Sequence, residues 1–287
     1  MVLVTGVNGQ LGYDIVKELD KRGIDSKGID IQDLDLTNKT DVINFITDLK
    51  PTCVIHCAGY TQVDKAEIED GETKKCFDIN YRGTEYIAIA CKDLDIKMVY
   101  ISTDYVFDGT KTGEYEISDN VNPLSKYGMS KMQGERAILE HLNKYFIIRT
   151  SWLFGLNGNN FINTMINLGK EKEVIDVVFD QLGSPTYTVD LACLICDVVE
   201  TNKYGIYHAT NEGFCSWADL AKKVLEIKNI SCKINPISSK EYKSVTIRPL
   251  NSRLSKRSLE SGGFSLLPNW EDAVKRYLLS KDQRKEV

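Results

Sequence analysis

Short apolar runs alternate with longer amphipathic stretches through the first half of the chain. The apolar runs lie at residues 2–4, 51–56, 96–101 and 145–149. Each run has the continuity typical of a strand buried on both faces of a parallel sheet, and the stretches between them have helical spacing. A more polar run at 26–29 is a further strand candidate. This alternation predicts an α/β fold with a right-handed, doubly wound parallel sheet.

A glycine-rich turn follows the first apolar run. Glycines 6, 9 and 12 form the pattern G-x-x-G-x-x-G ahead of a helix predicted at 13–21. Gly6 permits a tight turn, Gly9 lets a pyrophosphate approach the backbone, and Gly12 lets helix and strand pack closely. The helix N-terminus would donate N–H groups to the anion. An isolated glycine turn commonly binds nothing, but its place after the first strand favours a Rossmann-like dinucleotide site.

An acidic residue ends the second strand candidate. Asp30 lies some twenty residues beyond the glycines and fits the hydroxyls of an adenosine ribose. Its charge would repel a 2′-phosphate, which favours NAD(H), with NADP(H) as the second option. Asp33 and Asp35 lie close enough to take the same role, and a solvated loop aspartate is the alternative interpretation.

A tyrosine and a lysine four residues apart are the candidate catalytic pair. Tyr127 and Lys131 share one face of a helix predicted at 123–141. A nearby positive charge lowers the pKa of a phenol from its ordinary value of about 10. Such a tyrosine can protonate a carbonyl oxygen as hydride arrives. Many helices carry this pair by chance, but Thr103 lies at the carboxyl end of the fourth strand, where open α/β sheets bind ligands.

The composition excludes several classes of function. The 287 residues include 36 Lys+Arg against 41 Asp+Glu, a net charge of −5 with no dense basic run, so we expect no nucleic-acid partner. No apolar stretch approaches the roughly 18–20 residues of a membrane helix. Neither a basic segment nor a long apolar segment follows Met1, so we expect no secretory signal. The expectation is a cytoplasmic protein that binds no membrane.

Eight cysteines are distributed among apolar residues. Cys193 and Cys196 have the spacing of a redox or metal pair, but they lie within a predicted buried helix, and no second Cys/His pair has zinc spacing. His56 lies inside the third predicted strand in the same way. We expect reduced core cysteines and a core histidine here.

The alternation becomes irregular after Gly155. Shorter helices follow, and a connector containing Pro and Ser is expected at 235–250. We predict a dinucleotide-binding domain at 1–155, to whose sheet 184–210 returns, and a mostly substrate-binding, interleaved C-terminal lobe at 156–287.

The glycine turn, Asp30, Thr103 and the Tyr127/Lys131 pair together resemble an extended short-chain dehydrogenase/reductase. More narrowly, the chain resembles the dTDP-4-dehydrorhamnose reductase family. The stretches that carry this narrower resemblance follow one another along almost the whole chain: 63–67, 102–107, 127–131, 149–152, 158–161, 180–186 and 248–254.

The resemblance implies NAD(P)H-dependent reduction of the C4 ketone of dTDP-4-dehydro-L-rhamnose to dTDP-L-rhamnose. Tyr127 would donate the proton, Lys131 would lower its pKa and hold the nicotinamide ribose, and Thr103 would hydrogen-bond the ketone oxygen. Asp104 and Trp152 would contact the sugar. The expected cofactor contacts, besides Tyr127 and Lys131, are Gly6, Gly9, Gln10, Leu11, Gly12, Asp30, Asp35, Leu36, Ala58, Gly59, Tyr60 and Thr61.

Two features bear on the diphosphate and on a metal. Arg248 and Arg253 lie in a loop that could reach the substrate diphosphate, where a guanidinium suits paired oxygens; surface solvation explains either one equally well. The resemblance also implies a possible dimer, because some members of that family are bridged in pairs by Mg²⁺ through acidic side chains at their interface. Here Asp14 replaces a glutamate, and 186–190 does not reproduce the acidic pair, so we expect no metal. A homodimer stays open.

Two other functions fit the same pattern. One is a non-catalytic NAD(P)-binding subunit, like the regulatory subunit of methionine adenosyltransferase, which resembles this family. The other is a further sugar-nucleotide reductase, epimerase or dehydratase. The complete set of Thr103, Tyr127 and Lys131 favours an enzyme, and no additional catalytic carboxylate lies beside the tyrosine motif to favour an epimerase.

Overall fold

The computed structural model describes residues 1–284. Its strands are β1 Val2–Thr5, β2 Ser26–Ile29, β3 Cys53–His56, β4 Lys97–Thr103, β5 Tyr145–Thr150, β6 Leu153–Phe154, β7 Val174–Val178, β8 Leu182–Gly183, β9 Thr186–Tyr187, β10 Gly205–His208, β11 Asn211–Glu212, β12 Cys215–Ser216, β13 Lys233–Ile237, β14 Asn251–Ser252 and β15 Leu267–Asn269. Its α-helices are α1 Gln10–Lys21, α2 Lys39–Leu49, α3 Val63–Ile68, α4 Asp70–Phe77, α5 Thr84–Asp93, α6 Lys126–His141, α7 Phe161–Glu171, α8 Thr188–Val199, α9 Trp217–Ile227, α10 Ser239–Tyr242, α11 Arg257–Ser261 and α12 Trp270–Gln283.

Six parallel strands form the central sheet in the order β10-β5-β4-β3-β1-β2. The order of the strands changes direction at β1: the chain adds β2 on one side of β1 and then crosses over to add β3 on the other side. That reversal opens a crevice at the carboxyl ends of β1 and β3, the usual ligand position in such sheets. The predicted Rossmann-like, doubly wound α/β fold is confirmed.

Helices cover both faces of the sheet because side chains alternate along each strand. Val2 and Val4 point to one face, where they pack with Ile15 of α1 and with Leu191 and Ile195 of α8. On the opposite face, Leu3 packs in a second cluster with residues of α2, α5 and α6. Helix α8 and strand β10, from the later half of the chain, therefore complete the layers begun by the first half.

Caps fix where the helices that support the crevice begin. Asn38 caps α2, and its side chain accepts a hydrogen bond from the Asp41 N–H. Helix α6 begins at Lys126 rather than at Pro123, because the Ser125 hydroxyl accepts from the Gly128 N–H at 3.0 Å. The helical region that begins near Asp64 is divided into α3, α4 and α5, with a π-helical turn at Asp78–Gly83 between α4 and α5.

The later half of the chain forms small sheets beside the crevice. In one of them β8 lies between β12 and β14; in another β7 and β13 pair in parallel. The expected connector at 235–250 is therefore partly a strand, since β13 occupies Lys233–Ile237. Among residues 1–284, no helix has both the length and the apolar character needed to cross a membrane. The division into two domains stays a prediction.

Candidate active site

A cleft of about 720 Å³ lies at the carboxyl ends of the central strands. It brings together most of the residues that the sequence singles out: Gly6, Gly9, Gln10, Leu11, Gly12, Asp30, Ala58, Gly59, Tyr60, Thr61, Thr103, Asp104, Tyr127, Lys131 and Trp152. Asp35, Leu36, Arg248 and Arg253 do not line it. The cleft therefore joins the glycine turn to the candidate proton donor in one space.

The glycine turn is shaped so that side chains could not replace its hydrogens. Gly6 has a positive φ of 73°, and a Cβ there would lie 2.6 Å from the Ala58 nitrogen. A Cβ on Gly12 would lie 2.3 Å from the Gly6 carbonyl oxygen. Gly9 caps α1 without a side chain, which leaves first-turn N–H groups of the helix facing the cleft. These groups fit the pyrophosphate of a dinucleotide.

Asp30 is held in a defined orientation at one end of the cleft. Its carboxylate accepts hydrogen bonds from the Asn8 N–H at 2.9 Å and the Ile31 N–H at 2.8 Å. Asp35 instead accepts from the Thr37 backbone and hydroxyl, and Leu36 is buried in the core. The predicted cofactor contacts of Asp35 and Leu36 stay predictions that the position of the cleft does not support.

Thr103 and Asp104 lie at the carboxyl end of β4. The Thr103 hydroxyl donates to the Asp104 carboxyl at 3.0 Å, and Tyr127 lines the same part of the cleft. The Ser252 hydroxyl donates to the other oxygen of Asp104 at 2.5 Å. Burial raises the pKa of Asp104 to about 6 despite these hydrogen bonds, because desolvation penalises the charged form.

Tyr127 and Lys131 face the cleft from the first turns of α6, four residues apart as expected. Desolvation, with the neighbouring Asp104 carboxyl, raises the pKa of the Tyr127 phenol above its ordinary value. The expected lowering of this pKa by Lys131 is therefore not what the structure gives, and the group that opposes the rise is the Thr103 hydroxyl.

Lys131 is itself almost completely buried. Its ammonium lies 4.1 Å from the centroid of the Tyr100 ring. Burial lowers the pKa of Lys131 to about 8, while the charge of Glu135 on the next helical turn opposes this change. A lysine in this position carries its charge at neutral pH and begins to lose it in mildly alkaline solution.

Asn80 supports the cleft, although the sequence gives it no role. Its side-chain oxygen accepts from the Tyr60 N–H at 2.8 Å, and its amide donates to the Tyr60 carbonyl and the Ser130 hydroxyl, each at 3.0 Å. It therefore ties the turn after β3 to α6. Asn80 lies in the π-helical turn, a local irregularity that periodicity does not reveal.

Two tryptophans form one wall of the cleft. Trp152, which was predicted to contact the sugar, stacks on Trp217, with ring centroids 3.7 Å apart and an interplanar angle of 15°. The sequence did not single out Trp217, whose only local feature is its position at the start of α9.

Arg248 and Arg253 lie outside the cleft lining. Arg248 forms an ion pair with Asp64, with its nearest nitrogen–oxygen distance 2.8 Å, and its charge influences the pKa of Tyr105, which lines the cleft. Arg253 donates to the Asn251 side-chain oxygen at 2.8 Å. Each guanidinium thus has a partner within the chain, and the predicted diphosphate contact stays a prediction for both.

The candidate metal residues also have partners within the chain. Asp14 accepts a hydrogen bond of 2.5 Å from the Thr188 hydroxyl. Asp190 forms a bidentate pair with Arg276, with both distances 2.7 Å. The described part of the chain holds no cluster of three or more His, Cys, Asp or Glu side chains suited to a metal ion.

His56 and the cysteine pair have the surroundings of core residues. His56 is buried in β3 between the hydroxyls of Thr5 and Thr84, and burial lowers its pKa to about 3, as expected of a core histidine. Cys193 and Cys196 lie on α8, where Cys196 is fully buried. Burial raises the pKa of both thiols.

Comparison with known proteins agrees with this geometry. The family model for the RmlD substrate binding domain matches residues 1–282. The dTDP-4-dehydrorhamnose reductase of Aggregatibacter actinomycetemcomitans is 40% identical over 96% of this chain and 97% of that protein. The crystal structure of the Bacillus anthracis dTDP-4-dehydrorhamnose reductase in complex with NADP has a TM-score of 0.93 and 42% identity, covering 97% of this chain and 98% of that one.

A second solved structure is similar to the same extent. The dTDP-4-dehydrorhamnose reductase ortholog of Clostridium acetobutylicum has a TM-score of 0.95 and 40% identity, and the match covers 98% of this chain and 99% of that one. The family model and these relatives extend over nearly the whole chain, including both sides of the cleft. The chain therefore belongs to the dTDP-4-dehydrorhamnose reductase family.

Proposed function

We propose that this chain is a short-chain dehydrogenase/reductase-type enzyme that uses NAD(P)H to reduce the C4 ketone of dTDP-4-dehydro-L-rhamnose, giving dTDP-L-rhamnose. The observation that carries the proposal is that Thr103, Tyr127 and Lys131 line the same cleft as the glycine turn. This arrangement offers two hydroxyl donors to a single carbonyl oxygen beside a dinucleotide site. Relatives at 40% identity or more are named for this activity.

The residues of the cleft divide the work of a carbonyl reduction. A nicotinamide bound in the cleft would supply the hydride for the new C–H bond at C4. Thr103 and Tyr127 hydrogen-bond the ketone oxygen, and the Tyr127 proton passes to that oxygen as the C=O double bond becomes a C–O single bond. Lys131, four residues away, stabilises the phenolate that remains. Because burial raises the pKa of Tyr127, the phenol stays protonated at neutral pH, as a donor must.

We further propose that NADH is the preferred cofactor because the Asp30 carboxylate, at the end of β2, would repel a 2′-phosphate. The Bacillus anthracis relative was solved with NADP, so the preference needs a direct test. Asp30→Ala should lower the Kd for NADPH relative to that for NADH, measured by fluorescence titration with both cofactors. An unchanged ratio would remove Asp30 from this role.

The proposal includes a cytoplasmic location, where reduced pyridine nucleotide is supplied. One assay tests the activity itself: oxidation of NADH and of NADPH is followed with dTDP-4-dehydro-L-rhamnose and with a second nucleotide-linked keto sugar. We expect turnover with the rhamnose precursor, and its product identified as dTDP-L-rhamnose by NMR. Cofactor binding without turnover of either sugar would support a non-catalytic binding subunit. Tightly retained NAD⁺ with isomerised product would support an epimerase.

A further inference from the structure

Trp152 occupies an unusual backbone position at the exit of β5. Its φ of 50° lies in the left-handed region, a backbone conformation that residues other than glycine rarely adopt. Its carbonyl accepts a hydrogen bond of 3.1 Å from the Thr186 N–H, which fixes the strained residue. A Cβ on Gly183 would lie 2.9 Å from the Trp152 ring, so only glycine leaves room for the indole. Gly183 and Thr186 therefore hold Trp152 in this position.

Strand β8 and the preceding residue Gln181 also contact the region of the second tryptophan, Trp217. Strand β8 pairs with β12, which ends at Ser216, directly before Trp217. The Trp217 indole N–H donates to the Gln181 side-chain oxygen at 3.1 Å. The amide group of Gln181 donates in turn to the Ser239 hydroxyl at 3.1 Å. Since its two ends have different partners, the Gln181 amide can take only one orientation.

Ser239, the partner of the Gln181 amide, is itself held in place by hydrogen bonds. Its backbone N–H and its hydroxyl both donate to the Asp180 carboxylate, at 2.9 Å and 2.6 Å. Gln181 is buried, whereas the indoles of Trp152 and Trp217 are half-buried and line the cleft that contains Thr103. A partly buried polar network, centred on the buried Gln181, therefore lies behind two aromatic rings that face the cleft. Removing the Gln181 oxygen would leave the indole N–H without its partner.

We propose that Trp217 is a substrate-binding residue and that Gln181 is the positioning residue that holds it against Trp152. Rigid, parallel indoles at 3.7 Å present one continuous apolar surface, which suits the C–H faces of a nucleotide-linked sugar. The inference rests on the proposed function, because it assigns the sugar nucleotide to this wall of the cleft. Thr103 and Tyr127 then act on the ketone while the wall fixes the sugar.

Circular dichroism tests the positioning role, because two indoles stacked this closely couple their electronic transitions and give a paired positive and negative band. Gln181→Leu should weaken that band and raise the Kd for dTDP-L-rhamnose about tenfold, since the half-buried indole N–H loses its acceptor. The Kd for NADH should stay unchanged. Gln181→Glu keeps an acceptor oxygen for the indole N–H but loses the donor to Ser239, so its losses should be smaller than those of Gln181→Leu. Trp270→Phe, which alters the third tryptophan outside the cleft lining, should leave the band intact.

An unchanged band and Kd in Gln181→Leu, or equal losses in the Leu and Glu variants, would overturn the positioning role. Should Gln181→Leu fail to fold, Trp217→Phe decides, because it keeps an aromatic ring but lacks the N–H; an unchanged Kd would then refute the assignment. A wild-type chain that binds dTDP-L-rhamnose without reducing the keto sugar refutes only the reductase. A wild-type chain that does not bind this product refutes the substrate contact of Trp217.

Discussion

Thr103 and Tyr127 place two hydroxyl groups where one carbonyl oxygen could accept from both. Tyr127 lies edge-on against the ring of Tyr105, with centroids 5.5 Å apart, so its ring is held by packing as well as by the helix. Burial acts on every titratable group around this point: it raises the pKa of Tyr127 and of Asp104, and it lowers that of Lys131. Each change disfavours an isolated charge within the cleft.

The first residue-scale prediction concerns the proton donor. Tyr127→Phe should lower kcat by about 10²–10⁴-fold, because the acid is lost while the cofactor site remains. Steady-state kinetics and NADH titration measure the two effects separately. Tyr105→Phe is the matched control, since it keeps a ring against Tyr127 and should cost much less. Near-normal kcat in Tyr127→Phe would remove Tyr127 from its role.

The pH dependence should report Lys131. Burial lowers its pKa to about 8, so its positive charge is present below that pH and is lost as the pH rises through it. We therefore expect kcat/KM to decline above about pH 8, since kcat/KM reports groups of the free enzyme. A pH–rate profile from neutral to alkaline solution checks this. Activity that persists to about pH 10, the ordinary lysine value, would contradict it.

At the scale of elements, a buried ion pair ties α6 to the sheet beneath the cleft. Glu135 of α6 binds Arg149 of β5 through two hydrogen bonds, at 2.9 Å and 2.7 Å, and it also accepts from the Ser102 hydroxyl of β4 at 2.5 Å. Both charged side chains are at most 4% exposed. Helix α6 carries Tyr127 and Lys131, so this contact fixes the helix relative to Thr103.

Breaking that pair should destabilise the fold. Glu135→Gln leaves the Arg149 charge buried and uncompensated, and it should lower the free energy of unfolding by about 3–5 kcal/mol. Asp95→Asn, which breaks the exposed pair with Lys144, is the control and should cost at most roughly 1 kcal/mol. Urea denaturation of the three proteins gives the comparison. Equal effects would show that the buried pair contributes no more than the exposed one.

Elements governed by local rules could be predicted from the sequence. Strands β1, β3 and β4 follow from short continuous runs of apolar residues. Strand β13 could not, because Asn235 and Pro236 interrupt its apolar alternation, and it exists through pairing with the distant β7. The same limit applies to the split of the helical region near Asn80.

At the scale of the whole molecule, the cleft has residues from both halves of the chain. Asp64 of α3 binds Arg248 across a separation of 184 residues in sequence, and Gln181 binds Trp217 in the later half. Such partners depend on the complete fold, so the sequence could suggest Arg248 as a ligand-binding residue but not its ion pair. The glycine turn and the Tyr127/Lys131 pair could be predicted from the sequence because short spacings along the chain define them.

Loss of the long-range ion pair should affect the sugar more than the cofactor. Arg248 pairs with Asp64, and its charge acts on the pKa of Tyr105, which lines the cleft. Arg248→Ala should raise the KM for the sugar nucleotide about fivefold, since a charge-assisted contact at the cleft edge is lost. The KM for NADH should change little. Arg253→Ala, in the same segment, is the control; equal changes in both KM values would refute this role of Arg248.

The late completion of the central sheet has a consequence for synthesis on the ribosome. One face of β1 is covered by α8, and β5 gains its outer neighbour only from β10. A nascent chain that has emerged only to residue 155 therefore exposes apolar strand surface that its own residues cannot cover. We expect such a chain to depend on chaperones until residue 208 has left the exit tunnel, because exposed strands promote aggregation.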